Sequence, residues 1–186
     1  MAQRIYELGL VSGLEAEAIG VPGQRTFRVN THSRAGGARI WLEKEQLQEL
    51  AATIERLLVE VAGAHGLIGP ARGGSSLPFL GNPTTEFRAG RITLGYEQDS
   101  DRVTLAFDEY TPDDDDEDEE PDPLIAPDLA RVEIEFTREQ AQGFSRQALD
   151  VCSAGRPRCP LCGTPLDGPT HFCPRSNGHA PLPAED

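Results

Sequence analysis

The chain has 186 residues, 38% of them apolar, and a formal charge of −14 at pH 7. That length buries a sizeable core in one domain with an appendage or in one duplicated domain. The acidic balance opposes phosphate backbones and anionic lipid surfaces, which are bound through basic faces, so nucleic-acid and membrane partners are not expected. Much of the acidity is local, because the run Asp113 to Glu120 carries −8 and leaves −6 for everything else.

No stretch is long and apolar enough to span a bilayer, and the N-terminal residues lack the apolar core of a signal peptide. A cytoplasmic protein is expected. Four cysteines, three of them beside histidines in the last segment, fit a metal site in a reduced compartment better than a disulfide framework.

Taken in order, residues 14–21 alternate small and apolar residues with glutamates, and Phe27, Val29 and Thr31 alternate with Thr26, Arg28 and Asn30. Period two predicts strands. Gly36-Gly37 turns the chain into a third strand, Ile40-Trp41-Leu42. The period then changes, with Leu47, Leu50, Ala51, Ile54, Leu57, Leu58 and Val61 on one helical stripe ending near Gly63. Residues 63–83 are rich in Gly, Pro and Ser and read as a linker or long loop. Its Arg72-Gly73-Gly74-Ser75-Ser76 lacks the Gly-Lys-Ser/Thr ending of a phosphate loop.

The pattern starts again. Ile92, Leu94 and Tyr96 share one strand face, a turn follows at Asp99-Ser100-Asp101, and Val103, Leu105 and Phe107 mark the returning strand. After the acidic run come a third strand with Val132, Ile134 and Phe136 and a capping-box start, Thr137-Arg138-Glu139-Gln140. Ala141, Phe144, Ala148, Val151 and Cys152 give the following helix its apolar stripe. Leu42-Glu43-Lys44-Glu45-Gln46-Leu47-Gln48 and Phe136-Thr137-Arg138-Glu139-Gln140-Ala141-Gln142 occupy the same strand-to-helix junction and share Glu, Gln and Gln. The expected class is therefore α+β, an internally duplicated strand-strand-strand-helix unit. The units take residues 1–62 and 84–154, the second with an acidic insertion at 112–123, and residues 155–186 form a C-terminal segment and tail. A block of carboxylates cannot bury enough apolar surface to offset the entropy of ordering it. Deleting residues 113–120 should leave the thermal midpoint nearly unchanged, and a large fall would show the run packed against the body.

The C-terminal segment carries the specific chemistry. Cys159-Pro160-Leu161-Cys162-Gly163 brings two thiols together in a tight turn, and His171, Cys173 and His179 follow in a stretch with too few apolar residues to fold alone. The bland reading is free thiols in a flexible tail. The spacing instead predicts structural Zn²⁺ on Cys159, Cys162, Cys173 and one histidine, His171 or, as the alternative, His179. A redox Cys-x-x-Cys is expected at a helix N-terminus, which Pro160 and Gly163 do not suit. Cys152 belongs to the helix stripe rather than to this site.

The stretch Gly155 to Asp167, with His171-Phe172-Cys173-Pro174-Arg175-Ser176-Asn177-Gly178, resembles the signature of an uncharacterised, mainly actinobacterial family, number 3090 among the domains of unknown function. The resemblance extends more weakly over nearly the whole chain, and the family signature keeps a His at position 171. It implies genes nearby for a histidine-phosphatase-like and a lipid-kinase-like protein, and no reaction. The acidic run departs from the family's common core.

No nucleophile with a recognisable base stands out, and His32 and His65 are isolated. The reading with fewest assumptions is a zinc-binding, non-enzymatic interaction or adaptor protein with protein partners. The alternative is an enzyme or enzyme subunit in a phosphate- or nucleotide-linked pathway, working through polar groups around Asn30, His32 and Arg34.

Overall fold

Alternating and helical apolar periods become seven strands and two helices in a computed structural model. It describes residues 4–21, 24–65, 81–111, 129–154, 159–164, 166 and 172–175. The strands β1 (Arg4–Leu10), β2 (Gly13–Ile19), β3 (Thr26–Ser33) and β4 (Gly36–Leu42) lead into α1 (Lys44–His65). After it come β5 (Thr85–Glu97), β6 (Arg102–Glu109), β7 (Ala130–Thr137) and α2 (Arg138–Ser153). All seven strands form one sheet in the order β1-β7-β6-β5-β4-β3-β2.

The two edge strands of that sheet, β1 and β2, are joined only by Val11 and Ser12. A flat sheet of this width would hold its edges almost 30 Å apart at about 4.8 Å per strand, whereas three Cα steps from Leu10 to Gly13 reach about 11 Å. The sheet must therefore curl until its edges meet at a corner. Val11 N–H donates to Glu135 O on β7 and Ser12 N–H to His32 O on β3, so the corner ties both ends of the curl.

The strand pairing shows the duplication in detail. In both halves three antiparallel strands precede a helix, β2-β3-β4 before α1 and β5-β6-β7 before α2. Phe27 faces Leu42 as Val103 faces Phe136, and Val29 faces Ile40 as Leu105 faces Ile134. Each last strand also gains a parallel neighbour, β4 taking the start of β5 and β7 taking β1. β5 breaks its ladder between Ala89 and Ile92, where the other half has the corner between β1 and β2. One bent strand thus does in the second half what β1, the corner and β2 do in the first.

Both helices lie on the inward face, where a single core gathers the inward residues of every strand. Leu47, Leu50, Ala51, Ile54 and Leu58 of α1 are buried, and Ala141, Phe144, Ser145, Ala148 and Cys152 of α2 are buried in the same helical order. The helices touch at equivalent points, where Ser145 Oγ donates to Ala51 O at 3.2 Å. Burial of the inward set supplies the main stabilisation, roughly 25 cal/mol for each Å² of apolar surface removed from water.

The shared glutamine explains the junction. Gln46 Oε1 accepts from Glu43 N and Gln140 Oε1 from Thr137 N, both at 2.9 Å, so each Gln covers an N–H that the helix start leaves open. The amide nitrogen of Gln46 donates to Ala89 O and Gly90 O, and that of Gln140 donates to Val11 O, pinning the bulge and the corner respectively. Replacing either Gln by Ala should cost about 1–2 kcal/mol in urea unfolding, because it strips both contacts from a partly buried junction. A cost indistinguishable from zero would show that water replaces them.

β1 is a strand that the sequence pattern does not announce. Only Leu8 among its residues is buried, Ile5 and Leu10 are half exposed, and the bulge between Glu7 and Gly9 breaks the alternation. α1 continues past Gly63 to His65. The loop at residues 72–76 and the acidic run lie outside the described residues.

Candidate metal centre

Six residues make the first half of the centre. Cys159 N–H donates to Thr164 O at 2.9 Å and Gly163 N–H donates to Cys159 O at 2.8 Å, closing residues 159–164 into a tight loop. Gly163 has φ +74, a left-handed backbone that a residue without Cβ adopts at no steric cost. The loop turns Cys159 and Cys162 to the same side, and Cys173 joins them from the turn at residues 172–175. The three Sγ atoms lie within 4.8 Å of one another.

Cys159 Sγ and Cys173 Sγ are 3.7 Å apart. A disulfide would require about 2.05 Å. Two thiolates on one tetrahedral Zn²⁺, with Zn–S of about 2.3 Å, lie roughly 3.8 Å apart, so the spacing fits a shared metal. None of the three is joined in a disulfide; Cys159 and Cys173 are buried, and Cys162 is half exposed. Cys152 is also buried but stands in α2 among the core residues, outside the cluster, and burial pushes its thiol up.

The electrostatics favour the thiolate at Cys162. The hydroxyl of Thr164, 3.3 Å from Cys162 Sγ, and its backbone N–H hold the Cys162 thiol down at about 6. Burial pushes Cys173 the other way, opposed by a hydrogen bond from the Arg175 backbone. Thr164 and Arg175 each stand two residues after the cysteine they serve, a repeated turn of the kind that presents backbone N–H groups to metal-bound sulfur. The spacing of the cysteines does not announce either residue as a partner of the thiols. Arg175 Nη1 also donates to Leu161 O at 3.4 Å and ties the two turns together.

The structure brings together Cys159, Cys162 and Cys173. The fourth-ligand candidates His171 and His179 lie outside the described residues. Beside the thiols two apolar side chains face outward, Leu161 at 44% and Phe172 at 94% exposure.

Of the polar groups considered for catalysis, Asn30 is engaged in the sheet. Asn30 Nδ2 donates to Glu17 Oε2 at 3.1 Å, and Asn30 Oδ1 accepts from Arg39 Nε at 3.3 Å. The His32 ring lies over Gly13, where an added Cβ would sit 2.3 Å from the imidazole. Arg34 is exposed in the β3–β4 turn. These three residues do not converge on either described cavity.

The described residues include no helix long and apolar enough to cross a membrane. No curated protein and no solved structure matches the chain. A family described as protein of unknown function (DUF3090) matches residues 6–173, which takes in the curled sheet, both helices and all three clustered cysteines. The chain therefore belongs to the DUF3090 family.

Proposed function

We propose that this is a zinc-binding, non-enzymatic interaction protein, in which Zn²⁺ on Cys159, Cys162, Cys173 and either His171 or His179 orders a small protein-binding surface. The carrying observation is the convergence of three thiols within 4.8 Å beside an almost fully exposed Phe172. Thiolates favour Zn²⁺ among common divalent ions, and four protein ligands leave no open position for a catalytic water. The metal would be structural. Free thiols of this kind persist in a reducing compartment such as the cytoplasm.

An aromatic ring held in water beside a rigid turn gains little for folding, whereas aromatic anchors contribute much of the energy of protein interfaces. The test places a photo-crosslinking amino acid at position 172 and analyses native-cell adducts by mass spectrometry. The reading expects a discrete protein adduct that disappears when Cys159 is replaced by Ser. No adduct, or the same adducts after the Cys159→Ser change, would count against it.

A further inference from the structure

The two halves differ at one place that their shared register identifies. Leu14, Ala16 and Ala18 of β2 face Thr31, Val29 and Phe27, just as Ile92, Leu94 and Tyr96 of β5 face Phe107, Leu105 and Val103. In the first set α2 closes down. Leu14 and Ala16 are buried, and Gln147 Oε1 accepts from Ala16 N at 3.2 Å, satisfying the outward N–H of the edge. In the second set α1 stands off. Ile92 and Leu94 remain half exposed, and a cavity of about 430 Å³ opens between β5 and α1.

The residues lining that cavity explain why it stays open. Gln46, Glu49, Leu50 and Thr53 face it from α1, and Gly90, Ile92 and Leu94 from β5. Thr53 holds the helical place that Gln147 holds in α2, but its side chain is too short to reach the strand, and its hydroxyl instead accepts from Arg56 Nη2 at 2.9 Å. β4 pairs only with Thr85 to Arg88 of β5, so Leu94, the equivalent of Ala16, has no strand beside it on the groove side among the described residues. The groove offers an open strand edge, an apolar wall and one lining carboxylate, Glu49.

We infer that this groove binds an extended peptide segment of a partner protein, which adds a strand along residues 92–97 of β5 and sets a basic residue against Glu49. An open edge presents N–H and C=O groups at a spacing that another extended backbone matches, while the side-chain wall selects apolar residues at alternate positions. The carboxylate of Glu49 favours a basic residue at that point of the peptide. A second copy of this chain is a poor occupant, because its own β5 edge lies under its own α1 and the two helices would compete for one space. The inference rests on the interaction reading and names a partner class for a surface that needs no metal.

The test titrates full-length, zinc-loaded protein with a short capped peptide of alternating Val and Thr with a central Lys, followed by amide NMR. Saturable shifts should centre on Gly90, Ile92 and Leu94, and exchange of the Leu94 amide should slow by about tenfold or more once it is paired. Thr53→Gln supplies the side chain found at the equivalent place in α2, so it should keep the fold and weaken the peptide by about tenfold or more. Glu49→Lys, an exposed change, should weaken it severalfold and provides the same reading if Thr53→Gln fails to fold. Cys159→Ser should leave peptide binding intact, which separates this result from failure of the zinc reading. Absent or scattered shifts, equal binding by both groove variants, or uptake at the groove of the apolar dye anilinonaphthalene sulfonate without the peptide would overturn the proposal.

Discussion

Replacing Phe144 by Ala should lower the free energy of unfolding by about 3–5 kcal/mol, the range for truncating a buried aromatic in a packed core. Phe144 is 2% exposed, belongs to the central cluster and occupies in α2 the place of buried Leu50 in α1. Removing the ring leaves a cavity between a helix and a curled sheet, where neighbours on several elements would have to move together to fill it. Urea unfolding followed by circular dichroism gives the value. A loss below about 1 kcal/mol would mean that α2 does not seal the core and that the helix lies less tightly on the sheet than described.

The second large effect concerns the other end of the chain and should leave that number untouched. Cys159→Ser or Cys162→Ser removes one of three converging thiols, so the metal should be lost at micromolar free zinc and hydrogen exchange at residues 159–164 and 172–175 should rise to that of an unprotected chain. The unfolding midpoint of the body should not change, because its core is built from strands and helices that share no side chain with the cysteine cluster. A fall of the body's midpoint comparable to that of Phe144→Ala would show the segment to be part of the main fold.

Most of the architecture was legible because it rests on periodicity. Val29, Ile40, Leu105 and Ile134 sit in period-two stretches, and Leu47 to Leu58 repeat at helical steps, so their inward faces follow directly from the sequence. The duplication was legible at one junction only, since Gln46 and Gln140 perform a fixed hydrogen-bonding task that few side chains can take over. Elsewhere the equivalent core positions need only be apolar and of compatible volume, and pairs such as Thr31 with Phe107 or Leu58 with Cys152 share no chemistry that an alignment by eye detects. The closing of the sheet was not legible. It depends on β1, whose largely exposed residues leave no alternation, and on a two-residue corner whose significance appears only when the strand order is known.

At the candidate metal centre the thiols were legible from spacing, because Cys-x-x-Cys with Pro and Gly encodes its own turn. The supporting groups were not, since Arg175 acts on Cys173 through its backbone N–H, which any non-proline residue carries, and the Thr164 hydroxyl reaches Cys162 only once the loop has closed. The groove beside α1 was hidden for a different reason. It arises from a difference between two halves, Thr53 against Gln147, and becomes visible only when both halves are placed in one register.

The most direct measurement is elemental analysis of the full chain purified under reducing conditions without chelator, paired with thiol counting by mass spectrometry. The account predicts one zinc per chain, with Cys159, Cys162 and Cys173 protected from alkylation until the metal is removed and Cys152 slow throughout because it is buried in the core. Protein without stoichiometric zinc, or with Cys159 and Cys162 joined as a disulfide under those conditions, would contradict it.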